Sequence, residues 1–466
     1  MTPPETIATA AAQVAAKRNL WRVELTETLR LGLPMALTQL GQVVMMTTDL
    51  ALLGRLGDRI IAAVALAHTV LFAAFVLGMG LVSAVAPLAA QAFGARQPRM
   101  VRRALRVGLW AAVIAGTPLT AAQLWGDDLL RALGQAPDTA RIAGRYLEGL
   151  AWCLIPAWVF IALRNFMSAV NRPEPALWIT LWAIPANAIV VYVLIYGAFG
   201  LPPLDVLGAG LGTALVNVGM CAAAVWVAYA RHPFKKYRVM GRFWRADWPL
   251  LGKLVLIGLP ISGAFMLEYG LFAAATLLMG WIGTTALAAH QIALQIASIL
   301  FMVPFGISLA ATVRVGQAVG RRDSAATRRA GFAALGLGAS FMAAMMLVVV
   351  LTRHILPPLF LGARTPDAAE TVALAATLLV LGASFAIADG VQTVAAGALR
   401  GLNDTQIPLL FAALSFWAIG FVGAYGLGFS AHQGAVGVWL GLLLGLTVYA
   451  ALLVWRFHAL TIRRKA

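Results

Sequence analysis

Three carboxylates stand where a carboxylate is costly. Glu268 lies about ten residues into the apolar stretch from Leu259 to Gly283, which is long enough for a bilayer core of about 20 apolar residues. Asp49 and Asp389 sit inside two further apolar stretches. An acid at such depth costs roughly 2.5–3.5 kcal/mol on insertion scales, faces a bundle interior, and marks an ion or substrate path. The chemistry open to these groups is reversible uptake of a proton or of a hard cation, which prefers oxygen ligands.

Amide oxygens accompany them. Gln39 and Gln42 are three residues apart and Gln291 and Gln295 four apart, so each pair shares a helix face. Asn187, Asn217 and Gln392 also fall inside apolar spans; each serves either an ion site or an interhelical hydrogen bond. Tyr269 and Phe272 flank Glu268 and offer π faces to an organic cation. His290, in Ala288-Ala289-His290-Gln291, reads either as a satisfied helix histidine or as a gate or proton-path residue. Cys153 and Cys221 both lie in apolar runs and show neither a disulfide framework nor metal-ligand spacing.

The elements that must hold these residues are membrane helices. The 466 residues are 61% hydrophobic and 11% charged, against about 25% charged in soluble domains. Period-two alternation is missing, which argues against a barrel. The expected fold is an all-α integral membrane bundle of twelve spans, near 29–53, 60–90, 104–125, 142–166, 176–200, 206–230, 250–279, 285–312, 330–352, 371–399, 407–429 and 433–457. No basic residue is expected in the apolar spans where it could pair with Glu268, and Arg164 is assigned with Arg172 to the connection between the fourth and fifth spans.

The net charge of +17 would suggest nucleic acid in a soluble protein. Here most of the 35 basic residues fall between spans on one side, including Arg96–Arg106, Arg231–Lys253 and Arg314–Arg329. The positive-inside rule then puts both termini in the cytoplasm, and the charge faces anionic lipid head groups. The first 28 residues lack the uninterrupted apolar core of a cleavable signal peptide.

The chain also repeats itself. Gly32-Leu33-Pro34 recurs as Gly258-Leu259-Pro260, Gln91-Ala92 as Gln317-Ala318, Arg102-Arg103 as Arg328-Arg329, and Gly208-Ala209 as Gly434-Ala435, always at an offset of 226. This predicts a cytoplasmic tail (1–28), an N-lobe of six helices (29–230), a linker (231–248), a C-lobe of six helices (249–457) and a basic tail (458–466). Repeated lobes around a central site are transporter architecture, with access alternating as the lobes rock. Asp49 and Glu268 break the symmetry, because their offset partners are Ala275 and Gln42. No P-loop is present, which argues against direct ATP drive, and no catalytic residues are found.

The motifs resemble the multidrug and toxic compound extrusion (MATE) family, in its bacterial NorM-like branch. They are Asp49-Leu50-Ala51-Leu52-Leu53-Gly54, Leu267-Glu268, Ala288-Ala289-His290-Gln291, Asp389-Gly390-Val391-Gln392 and Ala395 to Gly401. The resemblance implies twelve helices in two lobes and export of organic, often cationic, drugs in exchange for H⁺ or Na⁺. It places the coupling-ion site on Glu268 and Asp389, with His290 beside it; Glu268 and Asp389 would also be the Na⁺ ligands. Asp49 matches a first-lobe acid that another branch uses with asparagines, here Asn187 and Asn217. The expected cavity lining is Gln39, Gln42, Tyr269, Phe272, Gln291, Gln295 and Gln392. The coupling ion takes the place of a cofactor, no structural metal is expected, and the expected setting is a monomer in a bacterial inner membrane. The alternatives are a lipid-linked oligosaccharide flippase of the wider superfamily and a membrane-embedded enzyme.

Overall fold

A computed structural model describes residues 3–132, 134–197, 200, 202–239, 241, 244, 247–359 and 368–463. Parts of the expected tails (1–2 and 464–466) and of the linker (240, 242–243 and 245–246) lie outside the described residues. The described chain is almost wholly helical: α1 (Pro3–Gly54), α2 (Asp58–Ser83), α3 (Val85–Gly94), α4 (Pro98–Leu124), α5 (Gly126–Ala132), α6 (Pro137–Ala151), α7 (Leu154–Ala169), α8 (Glu174–Tyr196), α9 (Asp205–Ala230), α10 (Trp248–Ile282), α11 (Thr284–Gly320), α12 (Ser324–Thr352), α13 (Ala368–Gly401), α14 (Gln406–Ala412), α15 (Val422–Tyr425) and α16 (Gly434–Arg463). Among the described residues eleven helical segments are long and apolar enough to cross a membrane, and the bent pair α6–α7, taken as one span, makes a twelfth. The protein is a multi-pass integral membrane protein.

Three spans depart from the uniform rods that the sequence suggests, two of them at prolines. The second is interrupted between α2 and α3. Pro87 lacks the N–H that would reach the carbonyl of Ser83, and its ring crowds that carbonyl. The fourth bends by 44° between α6 and α7, where Pro156 leaves the carbonyl of Trp152 without its helical partner in the same way. The eleventh runs from α14 through a π-helix at Ala413–Phe421, α15, and a second π-helix at Gly426–Ser430. Such wide turns are rare at this length. Their small residues meet those of α16: a Cβ on Gly445 would stand 2.7 Å from the Cα of Gly420, and one on Gly441 would stand 2.1 Å from the nitrogen of Ala424. Close backbone approach of this kind is how membrane helices gain van der Waals contact when lipid is as apolar as their side chains.

Contacts divide the chain into two compact units. One holds Met1–Ala36, Ala273–Leu402 and Leu414–Ala466, and the other holds Leu37–Phe272 and Asn403–Ala413. The units follow packing and the 226-residue repeat follows sequence, and they part company in α1, in α10 and at Asn403–Ala413, a segment of the second repeat that packs in the second unit. The first half of α1 packs with helices of the second repeat, and the first half of α10 packs with helices of the first.

Within the first unit, α11 and α13 pack through hydroxyls and glycines. Ser308 donates to the carbonyl of Thr393 at 2.7 Å and Thr312 to that of Gly397 at 2.8 Å. A Cβ on Gly397 would stand 2.3 Å from the carbonyl oxygen of Ser308. Within the second unit a core of Leu53, Val64, Ala67, Tyr146, Leu147, Leu150 and Val191 fills the space between α1, α2, α6 and α8.

Candidate functional site

Asp49 is buried in the second unit, one turn before the end of α1. Asn187 of α8 donates its amide to Oδ1 of Asp49. Thr213 of α9 donates its hydroxyl to Oδ2 at 2.9 Å. Val191, one turn along α8 from Asn187, belongs to the apolar core of this unit. Asn187 is fully buried, and its Oδ1 has no hydrogen-bond partner. Among the described residues no Lys or Arg pairs with Asp49. A carboxylate with neutral partners and a spare amide oxygen beside it has the donor chemistry of a proton or hard-cation site. Asn217 lies one turn along α9 and donates to the carbonyl of Thr213 at 2.8 Å. Three of the expected residues therefore converge, and the sequence missed the fourth, Thr213. Its signal was the i,i+4 spacing to Asn217.

Asp389 is buried in α13 of the first unit. Gln392, three residues on, donates to its Oδ1 at 3.0 Å. The glycine that follows Asp389 admits Met342 of α12 and Pro304 of α11, which a Cβ there would meet at 2.5 and 3.6 Å. Asp389 thus sits at a junction of three helices with a side-chain amide as its partner.

His290 of α11 is also in the first unit and fully buried. Trp439 of α16 donates its indole N–H to Nδ1 at 3.1 Å, and the hydroxyl of Thr276 in α10 lies 3.2 Å from Nε2. Phe385, one turn before Asp389, packs on Trp439 with ring centroids 5.7 Å apart. Trp439 and Thr276 carried no signal in the sequence.

The remaining expected residues are spread out. Glu268 is half-buried in α10, within the second unit. Tyr269 beside it packs on Phe72 of α2 at 4.9 Å between ring centroids, and Phe272 and Gln42 are half-buried. Gln291 and Gln295 are exposed on one face of α11. Gln39 is buried, and its oxygen accepts a hydrogen bond from Arg164 of α7. That bond corrects the expectation that Arg164 belongs to a loop connection. Arg164 lies inside α7 and is 5% exposed, with its Nε left without a partner. Arg106 is likewise buried in α4. Apolar runs conceal such residues because a single guanidinium barely changes the hydropathy of its window.

Comparison with known proteins then decides the family. The MatE family model matches residues 34–193 and 260–426, well over half of the chain. The chain belongs to the MatE family. The two matches to this MatE chain begin 226 residues apart, the same offset as the repeated motifs. It is 64% identical over 461 residues to the probable multidrug resistance protein NorM of Rhodopseudomonas palustris, covering 99% of this chain and 97% of that one. It is 57% identical to the corresponding protein of Bradyrhizobium diazoefficiens, with 94% of each chain covered. A eukaryotic MATE transporter shares the fold with a TM-score of 0.84 at 20% identity, over 96% of this chain and 99% of that one. The family comprises membrane transporters rather than enzymes.

Proposed function

We propose that this MatE protein is a secondary antiporter of the bacterial inner membrane, with both termini cytoplasmic. It exports organic cations in exchange for H⁺ or Na⁺ as its two six-helix lobes alternate access. The observation that carries the coupled-ion part is Asp49, buried among Asn187 and Thr213 with no basic partner. A permanently ionised and unpaired carboxylate is costly to bury, so its retention fits a group that exchanges an ion during each cycle. Asp389 with Gln392, and Glu268, supply further acids on other helices. His290 contributes through its bonds to Trp439 and Thr276. The drug class follows from the acids and from the exposed ring of Phe72, packed on Tyr269, since carboxylates and π faces both attract organic cations. The NorM name of the relatives at 64% and 57% identity supports the same reading.

The experiment is flux of a fluorescent organic cation in proteoliposomes, with a Na⁺ gradient or a pH gradient imposed separately. Flux under one gradient, reduced by dissipating it, is the expected result. Flux that ignores both gradients, or none of any tested cation, would reject the antiporter.

A further inference from the structure

One face of α4 carries Arg99, Arg103, Val107, Trp110 and Ile114. The steps are four, four, three and four residues, so all five lie on a single stripe of the helix. Two clefts open along this stripe, both within the second unit. The first, of about 330 Å³, is lined by Gln97, Pro98, Arg99, Met100 and Arg103. The second, of about 80 Å³, lies between Val107, Trp110 and Ile114 of α4 and Trp244, Trp248 and Leu251. Asp247 joins the two. It lines the second cleft, and Nε of Arg103, in the first, donates to it at 2.6 Å.

Arg106, nearly buried, lies 3.8 Å from the same carboxylate. Three guanidinium groups against one carboxylate leave a surplus of positive charge, so Asp247 holds two arginines in place without cancelling the set. Trp244 and Trp248 are mostly exposed, and so is much of Ile114. Indole rings gather at the level of lipid head groups because they are apolar with one polar edge. From Arg103 to Ile114 the helix rises about 16 Å, and the hydrocarbon of one leaflet is about 15 Å thick. The stripe thus has the dimensions of one phospholipid, charged at one end, collared by indoles, and apolar for the depth of a leaflet. The second repeat does not copy it. At the offset of 226, Arg99, Val107, Trp110 and Ile114 become Ala325, Ala333, Gly336 and Ser340, and Arg103 alone keeps its type, as Arg329. A feature that the shared fold required would recur in both repeats, so this stripe answers to another demand.

We propose that the stripe binds one anionic phospholipid of the leaflet at which α4 begins, which is cytoplasmic if both termini are. This goes beyond the antiporter reading and takes from it only the orientation. The phosphate sits between Arg99 and Arg103, and an acyl chain runs along Val107 and Ile114 between Trp110 and Trp248. Guanidinium groups meet phosphate oxygens with paired, charge-assisted hydrogen bonds. The Asp247 bond occupies Nε of Arg103, and a guanidinium has four further N–H donors. The surplus positive charge selects an anionic lipid over a zwitterionic one. A lipid held there touches both α4 and the start of α10, so it ties the end of the linker to the first repeat.

The test is lipid retention by the full chain in detergent, read by native mass spectrometry, with phosphatidylglycerol, phosphatidylcholine and glycerol phosphate offered separately. The wild type should keep one phosphatidylglycerol and melt at a higher temperature with it, as a ligand of the folded state requires. Phosphatidylcholine and glycerol phosphate should do neither. Arg99→Gln should weaken retention about 5-fold, the usual worth of one basic residue at a membrane surface, and Trp248→Ala should weaken it as well. Arg329→Gln, at the copied position of the second repeat, should leave it unchanged. Where Trp248→Ala does not fold, Arg99→Gln on an exposed residue carries the test alone. Equal retention of the two lipids, or undiminished retention in Arg99→Gln, would overturn the site. An equal loss in Arg329→Gln would show a diffuse attraction of charge and overturn it too. Glycerol phosphate bound as tightly as the lipid would overturn the acyl groove. No gradient and no drug enter the measurement, so failure here leaves the antiporter to its own flux experiment.

Discussion

Trp439 donates its indole N–H to Nδ1 of His290 at 3.1 Å. An indole nitrogen only donates, so Nδ1 must be the acceptor and the ring is neutral, with its proton on Nε2 toward Thr276. A second proton can reach Nδ1 only by displacing Trp439. The ring therefore ties α11 to α16 and α10 in this conformation. Trp439→Phe leaves a buried acceptor unmet, and the cost is about 1–3 kcal/mol. A lower melting temperature in detergent checks this. His290→Gln should melt lower as well, yet keep the pH midpoint of efflux. A displaced midpoint would make the ring itself a proton carrier.

Asp49→Asn keeps the size of the side chain and removes its charge. We expect folding intact, since an ionised buried acid is costly, and gradient-driven efflux lost. Asn187→Ala removes a donor to Asp49 together with the spare oxygen, and should come close to the same loss. Asn217→Ala should be milder, because its bond is to a carbonyl of its own helix. Initial rates in proteoliposomes at matched protein content decide the order. Full activity in Asp49→Asn would remove this site from coupling.

Glu268→Gln and Asp389→Asn are each expected to uncouple efflux from the ion gradient without unfolding the protein. The measurement is drug flux with and without the imposed gradient, alongside a size-exclusion profile for folding. Wild-type coupling in either variant would free that residue of the role.

Ion and drug should compete through linkage. A protonated or Na⁺-loaded acid cluster carries less negative charge and holds a cationic drug less tightly, and the drug must expel the ion by the same free energy, typically about 1–3 kcal/mol. Affinity for a monovalent cationic drug should rise with pH, by about 5- to 150-fold at saturation. Fluorescence anisotropy across pH, with and without Na⁺, measures it. Affinity that ignores both would place ion and drug in uncoupled sites.

Outside the membrane, the Asp247 carboxyl is held below the usual carboxylate range, first by the hydrogen bond from Nε of Arg103 at 2.6 Å. A group depressed in the folded state adds stability above its unfolded pKa and loses it as pH falls through the folded value. The wild type should therefore melt above Asp247→Asn at neutral pH, and the two melting curves should meet in acid. A constant gap down to low pH would show that the bridge does not titrate with folding.

Much of this protein was legible from residue chemistry. Apolar length gave the spans, and the 226-residue offset gave a repeat whose spacing the family matches share. Asp49, Asn187 and Asn217 stood out because polar groups are rare in lipid. Other features were hidden for physical reasons. Thr213 is an ordinary helix residue until a second helix brings Asp49 to it. Trp439 looks like any membrane tryptophan until its N–H finds His290. Arg164 looks like a loop residue because it lies near the end of an apolar run. The stretch from Ala413 to Ser430 in the eleventh span has no proline to announce its π-helical turns, which pack on the glycines of α16.

The exchange of half-helices also fixes an order of events at the ribosome. Gly32 is among the first membrane residues made, and Ile307, against which it packs, follows 275 positions later. At synthesis rates of about 5–20 residues per second, the first span waits on the order of tens of seconds in the membrane before its partner exists. During that time its glycine face lacks its eventual neighbours. The first half of α10 finds α2 already in place. The two contacts are thus made under unequal conditions, one with a partner that is waiting and one with a partner still to come.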